Sequence, residues 1–269
     1  MKIVDTSDLM QKIILTKEYD RKKEVFHEEL KKLNMEKIAS QIIKFNFFDF
    51  QIDSNQANLL LNFLESNLFK RELNDAYKLC EIYLNMKVEL DLIILPLNQN
   101  NIFYNREMKG IVAHTIGKEQ IIFYINPNNP KIKSSIQSLF IHEYQHLINN
   151  SINNRKSNLM DIIIDEGFSE LLVEKTLGEE ELGAWANRYS GRYLIQFNKL
   201  IWLNRNSKDI NLISTILNGS EKDNIPLWLG YSYGYNVVKN YSMKNNNLEF
   251  LDLITMDNEN IISNYIGDI

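Results

Sequence analysis

Two histidines four positions apart inside an apolar run constrain this chain more than any other feature. The segment is Phe140-Ile141-His142-Glu143-Tyr144-Gln145-His146-Leu147, with Leu139 before it and Ile148 after it. On an α-helix, positions i and i+4 share one face about a turn apart. His142 and His146 can then direct imidazole nitrogens at one ion, with Zn–N distances near 2.0–2.1 Å. The apolar flanks predict a buried helix, which suits a rigid metal platform. Glu143 falls beside the same face, placed to take a proton from water at the metal and return it to a leaving amine. Without a metal, two buried histidines beside a carboxylate would make a costly core.

A catalytic zinc usually takes three protein ligands and keeps one position open. The segment Ile162-Ile163-Ile164-Asp165-Glu166-Gly167-Phe168-Ser169-Glu170 supplies the third. Acidic side chains directly after three isoleucines sit at a depth that otherwise reads as core, and a metal resolves that conflict. Glu166 is the better ligand. Gly167 beside it is expected to let this helix approach the motif helix closely. Glu170, one turn on, suits the role of accepting the distal N–H of a zinc-bound histidine, a role Asp165 could fill instead.

The pattern around these segments predicts an α+β fold, mostly helical, with a small sheet of three to four strands next to the zinc-binding helix. Glycine (10 residues) and proline (4) are scarce in 269 residues, which favours long helices. A helical N-terminal region spans 1–87, with Leu30, Leu33, Ile38, Ile42 and Ile43 at helical spacing. The metal-bearing domain spans 88–269: a sheet over 88–126, zinc helices over 134–178 and a helical C-terminal part. Leu90–Leu97, Gly110–Ile116 and Gln120–Asn126 read as strands, the last two joined by a hairpin at Gly117-Lys118-Glu119. Ser134 or Ser135 caps a helix over about 135–150, and Gly178 stops the next, over about 158–176. Further helices are expected over about 179–205, 208–218, 224–243 and 247–265.

A formal net charge of −5 argues against nucleic acid as a partner, since phosphate binding needs a concentrated basic surface. The one dense basic stretch, Lys17–Lys37, is interleaved with acids and reads as a solvated helix with i,i+4 charge pairs. A single cysteine, Cys80, excludes an intramolecular disulfide and reads as a small buried hydrophobe. There is no signal-peptide pattern and no window as apolar as a membrane span, so the expected location is cytoplasmic. Heavy use of Ile, Asn and Lys suggests a low-GC bacterial genome. His114, on the second strand, is expected to be structural, and His27 to lie on the surface.

His-Glu-x-x-His on one helix with a glutamate on the next resembles the gluzincin metallopeptidases. Their downstream motif often reads Glu-x-x-x-Asp, where this chain has Glu166-Gly-Phe-Ser-Glu170. More narrowly, the chain resembles the YjaZ-like family of predicted zinc-dependent proteases. That resemblance is carried by His142-Glu-Tyr-Gln-His146, by Asp165-Glu-Gly167 and by Leu227-Trp-Leu-Gly230-Tyr231-Ser-Tyr-Gly234-Tyr235, over roughly residues 90–242. It implies a zincin-like fold, Zn2+ as cofactor and a peptide or protein substrate. It also implies an edge strand that binds substrate by β-augmentation, and a tyrosine donor to the oxyanion, for which Tyr231 and Tyr235 are the candidates. Independently, Gly230 and Gly234 form a smooth strip that another helix or a substrate can approach.

The reaction so implied is hydrolysis of peptide bonds by zinc-activated water with Glu143 as general base. The same ligands would serve a zinc hydrolase of another amide or ester, which a substrate screen separates. A non-catalytic metal-binding regulatory module is a third reading, and the intact Glu143 argues against it.

Overall fold

Lys2–Val4 forms a short strand, β1, in this computed structural model, which describes residues 1–152 and 158–267. It pairs in parallel with β2 (Asp91–Pro96), which pairs in parallel with β4 (Gln120–Ile125). Strand β3 (Ile111–Ile116) closes the sheet antiparallel to β4, and the order is β1-β2-β4-β3. The fold is therefore α+β, with one small mixed sheet among helices. Leu92–Leu95 of β2 and Ile121–Ile125 of β4 are buried without interruption. Central strands covered on both faces read as continuous apolar runs rather than alternating ones.

The β3–β4 hairpin turns at Gly117, whose φ of +62° lies in the left-handed region. Its register pairs Ile111 with Ile125 and Ile116 with Gln120. Just before the hairpin ladder, the Asn126 N–H donates to the Gly110 carbonyl at 2.9 Å. Antiparallel ladders alternate, so Val112, His114 and Ile116 bond to β4, while the main-chain groups of Ala113 and Thr115 point away from it. β3 is thus an edge. Side chains alternate too. His114 is exposed and packs its ring 4.8 Å from Phe47 and 5.9 Å from Tyr124, whereas Thr115 lies on the opposite face.

Between β1 and β2 run α1 (Ser7–Leu15), α2 (Tyr19–Lys32), α3 (Glu36–Lys44), α4 (Ser54–Glu65) and α5 (Asn67–Leu84). The charged stretch divides at Asn34, in the left-handed conformation at φ 58°. Ion pairs on α2 sit at i,i+3 rather than the expected i,i+4: Asp20–Lys23 at 3.0 Å, Arg21–Glu24 at 2.6 Å and Glu29–Lys32 at 2.6 Å. His27 on α2 is half-buried, and Cys80 on α5 is fully buried. Burial pushes the Cys80 thiol far above its usual pKa, which makes it inert.

After β2 comes the short α6 (Ile102–Arg106). A 3₁₀ turn at Ile132–Ser135 then leads into α7 (Ile136–Ile152), and α8 (Leu159–Leu177) follows. Asn158 and Asp161 form a reciprocal capping box at the start of α8, and Gly178 ends it at φ 104°. The chain continues as α9 (Gly191–Leu194), α10 (Asn198–Asn204), α11 (Ile210–Asn218), α12 (Leu229–Lys244), α13 (Phe250–Thr255) and α14 (Asn258–Gly267).

Three of the expected C-terminal helices are shorter or divided. The stretch 179–205 breaks because Leu182 turns to ψ 147° and Ser190 caps a new start by accepting from the Tyr193 N–H. α12 begins only at Leu229, since Pro226 and the left-handed Trp228 (φ 61°) precede it. An extended Met256 (ψ 156°) separates α13 from α14. Two compact units emerge: Met1–Lys78 with Lys87–Leu147, and Leu79–Met86 with the described residues from Ile148 on. The first holds the whole sheet and the second holds α8 to α14. Among the described residues, no helix is long and apolar enough to cross a membrane.

Candidate metal centre

Helix α7 is buried over most of the motif, with His146 half-buried. Leu139, Phe140, Ile141, Tyr144, Leu147 and Ile148 are buried, and so are His142, Glu143 and Gln145. Tyr144 fixes the helix from within the motif: its hydroxyl oxygen accepts from the Val88 N–H at 3.1 Å, while the Tyr77 hydroxyl lies 3.2 Å from the Val88 carbonyl.

The helical spacing brings the two imidazoles edge to face, with the Nε2 atoms of His142 and His146 3.2 Å apart. Two ligands of a tetrahedral zinc at about 2.0–2.1 Å stand roughly 3.3–3.4 Å from each other. The observed separation fits that edge. Glu166 joins them, and one ligand atom from each of His142, His146 and Glu166 lies within 4.8 Å of the others. Nitrogen, nitrogen and carboxylate oxygen are the donor set of catalytic zinc, so the three residues fit the group.

Glu143 is held from the sheet. The Thr115 hydroxyl lies 2.8 Å from Glu143 Oε2 and 2.7 Å from the Glu143 main-chain carbonyl. Sequence reasoning passed over Thr115 and weighed its neighbour His114 instead. The available signal was strand alternation, which puts Thr115 on the same face as the buried Ala113.

On α8, Asp165 Oδ1 accepts from Asn149 Nδ2 at 2.6 Å. Gly167 does not serve the motif helix as expected. A Cβ there would lie 2.3 Å from the Gly234 carbonyl oxygen and 2.8 Å from Val238, so its open side faces α12. One residue turns the helix by about 100°, which aims Gly167 away from the direction of Glu166. Gly234 is the counterpart, with Ile163 O only 2.0 Å from its would-be Cβ, whereas Gly230 abuts Leu217 of α11. The smooth strip is therefore filled by two different helices.

Buried Glu170 accepts from the Gly183 N–H at 3.0 Å and from Trp185 Nε1 at 2.7 Å, anchoring the segment that follows α8. Trp185 was not foreseen. Its carbonyl accepts from the Ser232 hydroxyl at 2.6 Å, and its ring lies 6.4 Å from that of Tyr231. Tyr231 is half-buried. Tyr235 has different surroundings. Its hydroxyl is buried 2.8 Å from Glu174 Oε2 and 3.0 Å from Lys239 Nζ, and Lys239 also pairs with Glu174 at 2.8 Å. Burial pushes the Tyr235 phenol well above its usual pKa.

Two imidazoles and a carboxylate within reach of one another make up a ligand set that a zinc hydrolase uses. The family described as predicted Zn-dependent protease (DUF2268) matches residues 69–263, and the chain belongs to this family. The family supports zinc as the cofactor, with His142, His146 and Glu166 as the group that could hold it. The uncharacterized protein YjaZ of Bacillus subtilis (strain 168) is 33% identical over 112 residues, which is 40% of this chain and 42% of that relative. The match thus spans less than half the length of the relative. No solved structure matches the chain.

Proposed function

We propose that this chain is a gluzincin-type zinc peptidase that hydrolyses peptide bonds with Glu143 as general base. The observation carrying this reading is the convergence of His142, His146 and Glu166 within 4.8 Å, with the buried Glu143 adjoining His142 on the same helix. Bound by these three residues, zinc supplies a Lewis acid that polarises a carbonyl and acidifies water to a pKa of about 7.

The remaining work falls to the chain itself. Thr115 occupies Oε2 of Glu143, which leaves Oε1 to receive a proton from attacking water and to deliver it to the leaving amine nitrogen. The outward main-chain groups of Ala113 and Thr115 on the β3 edge suit an extended peptide laid alongside as a further strand. Tyr231 is the oxyanion donor in this reading, because the Tyr235 hydroxyl is engaged by Glu174 and Lys239. Glu170 and Asp165 support the site from α8, where Glu170 orders the segment carrying Trp185.

Glu143→Gln tests the reading. The variant keeps full zinc content and loses peptide cleavage by about 10²–10⁴-fold, the usual worth of a general base. Cleavage at the wild-type rate would refute the assignment of the base.

A further inference from the structure

We infer that Thr115 is a positioning residue for Glu143, tying the orientation of the base to the strand that would receive substrate. The inference rests on the peptidase reading above and adds a residue to it. Three observations carry it.

The first is the double contact. A hydroxyl has one hydrogen and two lone pairs, and the Thr115 hydroxyl stands 2.7 Å from the main-chain oxygen and 2.8 Å from the Oε2 of one residue, Glu143. Both oxygens are acceptors, so the single hydrogen serves them as one shared, three-centre bond across that residue's backbone and carboxylate. Rotating the Glu143 side chain away from Thr115 breaks the contact to Oε2, so one rotamer is selected. The second is the division of the carboxylate, since among the described residues Oε1 makes no hydrogen bond within the protein and Oε2 makes this one. One oxygen is anchored while the other stays available. The third is the place of Thr115 in the sheet. Its own N–H and C=O point outward from the β3 edge, next to those of Ala113. A peptide strand pairing there would bond to the main chain of the residue whose side chain holds the base. Filling the edge therefore stiffens the support of Glu143, and misplacing a reacting group by about 1 Å can cost 10²-fold in rate.

The test uses the zinc-loaded full chain and a fluorescence-quenched peptide library, with steady-state constants measured on the best-cleaved member. Thr115→Val keeps the shape and removes the hydroxyl, and Thr115→Ser keeps the hydroxyl and removes the methyl. The expected result for Thr115→Val is a kcat lowered about 10–100-fold with KM within about twofold, a loss of transition-state stabilisation alone. Zinc content and melting temperature stay at wild-type values, and Thr115→Ser recovers kcat to within about threefold of wild type. A wild-type kcat in Thr115→Val overturns the inference, and so does equal impairment of both variants, which would assign the effect to packing. If the wild-type chain cleaves no member of the library, the peptidase reading fails, and crystal structures of wild type and Thr115→Val still decide the positioning role. Several Glu143 conformers in the variant against one in the wild type uphold it. A single shared conformer overturns it.

Discussion

Tyr231 and Tyr235 lie one helical turn apart on α12, yet their surroundings differ, and the proposed reading gives them different work. Tyr235 bridges Glu174 and Lys239 in the interior, where a hydrogen bond to a charged group contributes about 1.5–3 kcal/mol. Tyr235→Phe should therefore lower the melting temperature and leave kcat intact. Tyr231→Phe should do the reverse, with kcat falling about 10²–10³-fold, as when an oxyanion donor is removed. Steady-state kinetics and thermal melts on both variants separate the roles, and the opposite pattern would exchange the two assignments. At this scale the sequence was most legible where helical spacing alone fixes geometry, as for His142 and His146. It was also legible where a residue type conflicts with its depth, as for Glu166. It was silent where a partner is distant in the chain: Glu174 is 61 positions from Tyr235, and Thr115 is 28 from Glu143.

Helices α8 and α12 approach closely because each lacks a side chain where they meet. A Cβ on Gly234 would sit 2.0 Å from the Ile163 carbonyl, a backbone atom that cannot swing aside. Gly234→Ala should destabilise the chain by about 1–3 kcal/mol through overpacking, read as a lowered denaturation midpoint in urea. An unchanged midpoint would mean that the helices are not in this contact. At the α1–α2 contact, Glu29 lies 2.6 Å from Lys32 and 2.9 Å from Lys12. The Lys32 ammonium, with Lys12 beside it, holds the Glu29 carboxyl below its ordinary pKa. A depressed folded pKa gives stability that is present above the unfolded value, about 4.3 for glutamate, and is lost as pH falls through the folded one. Glu29→Gln should thus melt below wild type at pH 7, with the gap closing as pH falls below the folded value; a gap independent of pH would remove the carboxylate from the account. Helix limits were readable where caps are local, as at Asn158 and Gly178. They were not readable across 179–205, where the break depends on Glu170 reaching Gly183 and Trp185.

For the whole chain, the helical character and three of the four strands could be read from apolar periodicity, but the sheet order could not. β1 is three residues long and finds its partner β2 nearly ninety positions away, so no local pattern announces it. A site that assembles only in the folded chain links metal to stability. Zinc at about 100-fold above its dissociation constant should stabilise the native state by about 2.7 kcal/mol. Removing it with a chelator should lower the melting temperature, and returning it should restore that temperature; a melt indifferent to both would detach the metal from the fold. The most direct test of the centre itself is the zinc content of protein purified without added metal, for wild type, His146→Ala and Glu166→Ala. The account predicts one zinc per wild-type chain and little in either variant. A metal-free wild type, or full occupancy in both variants, would contradict it.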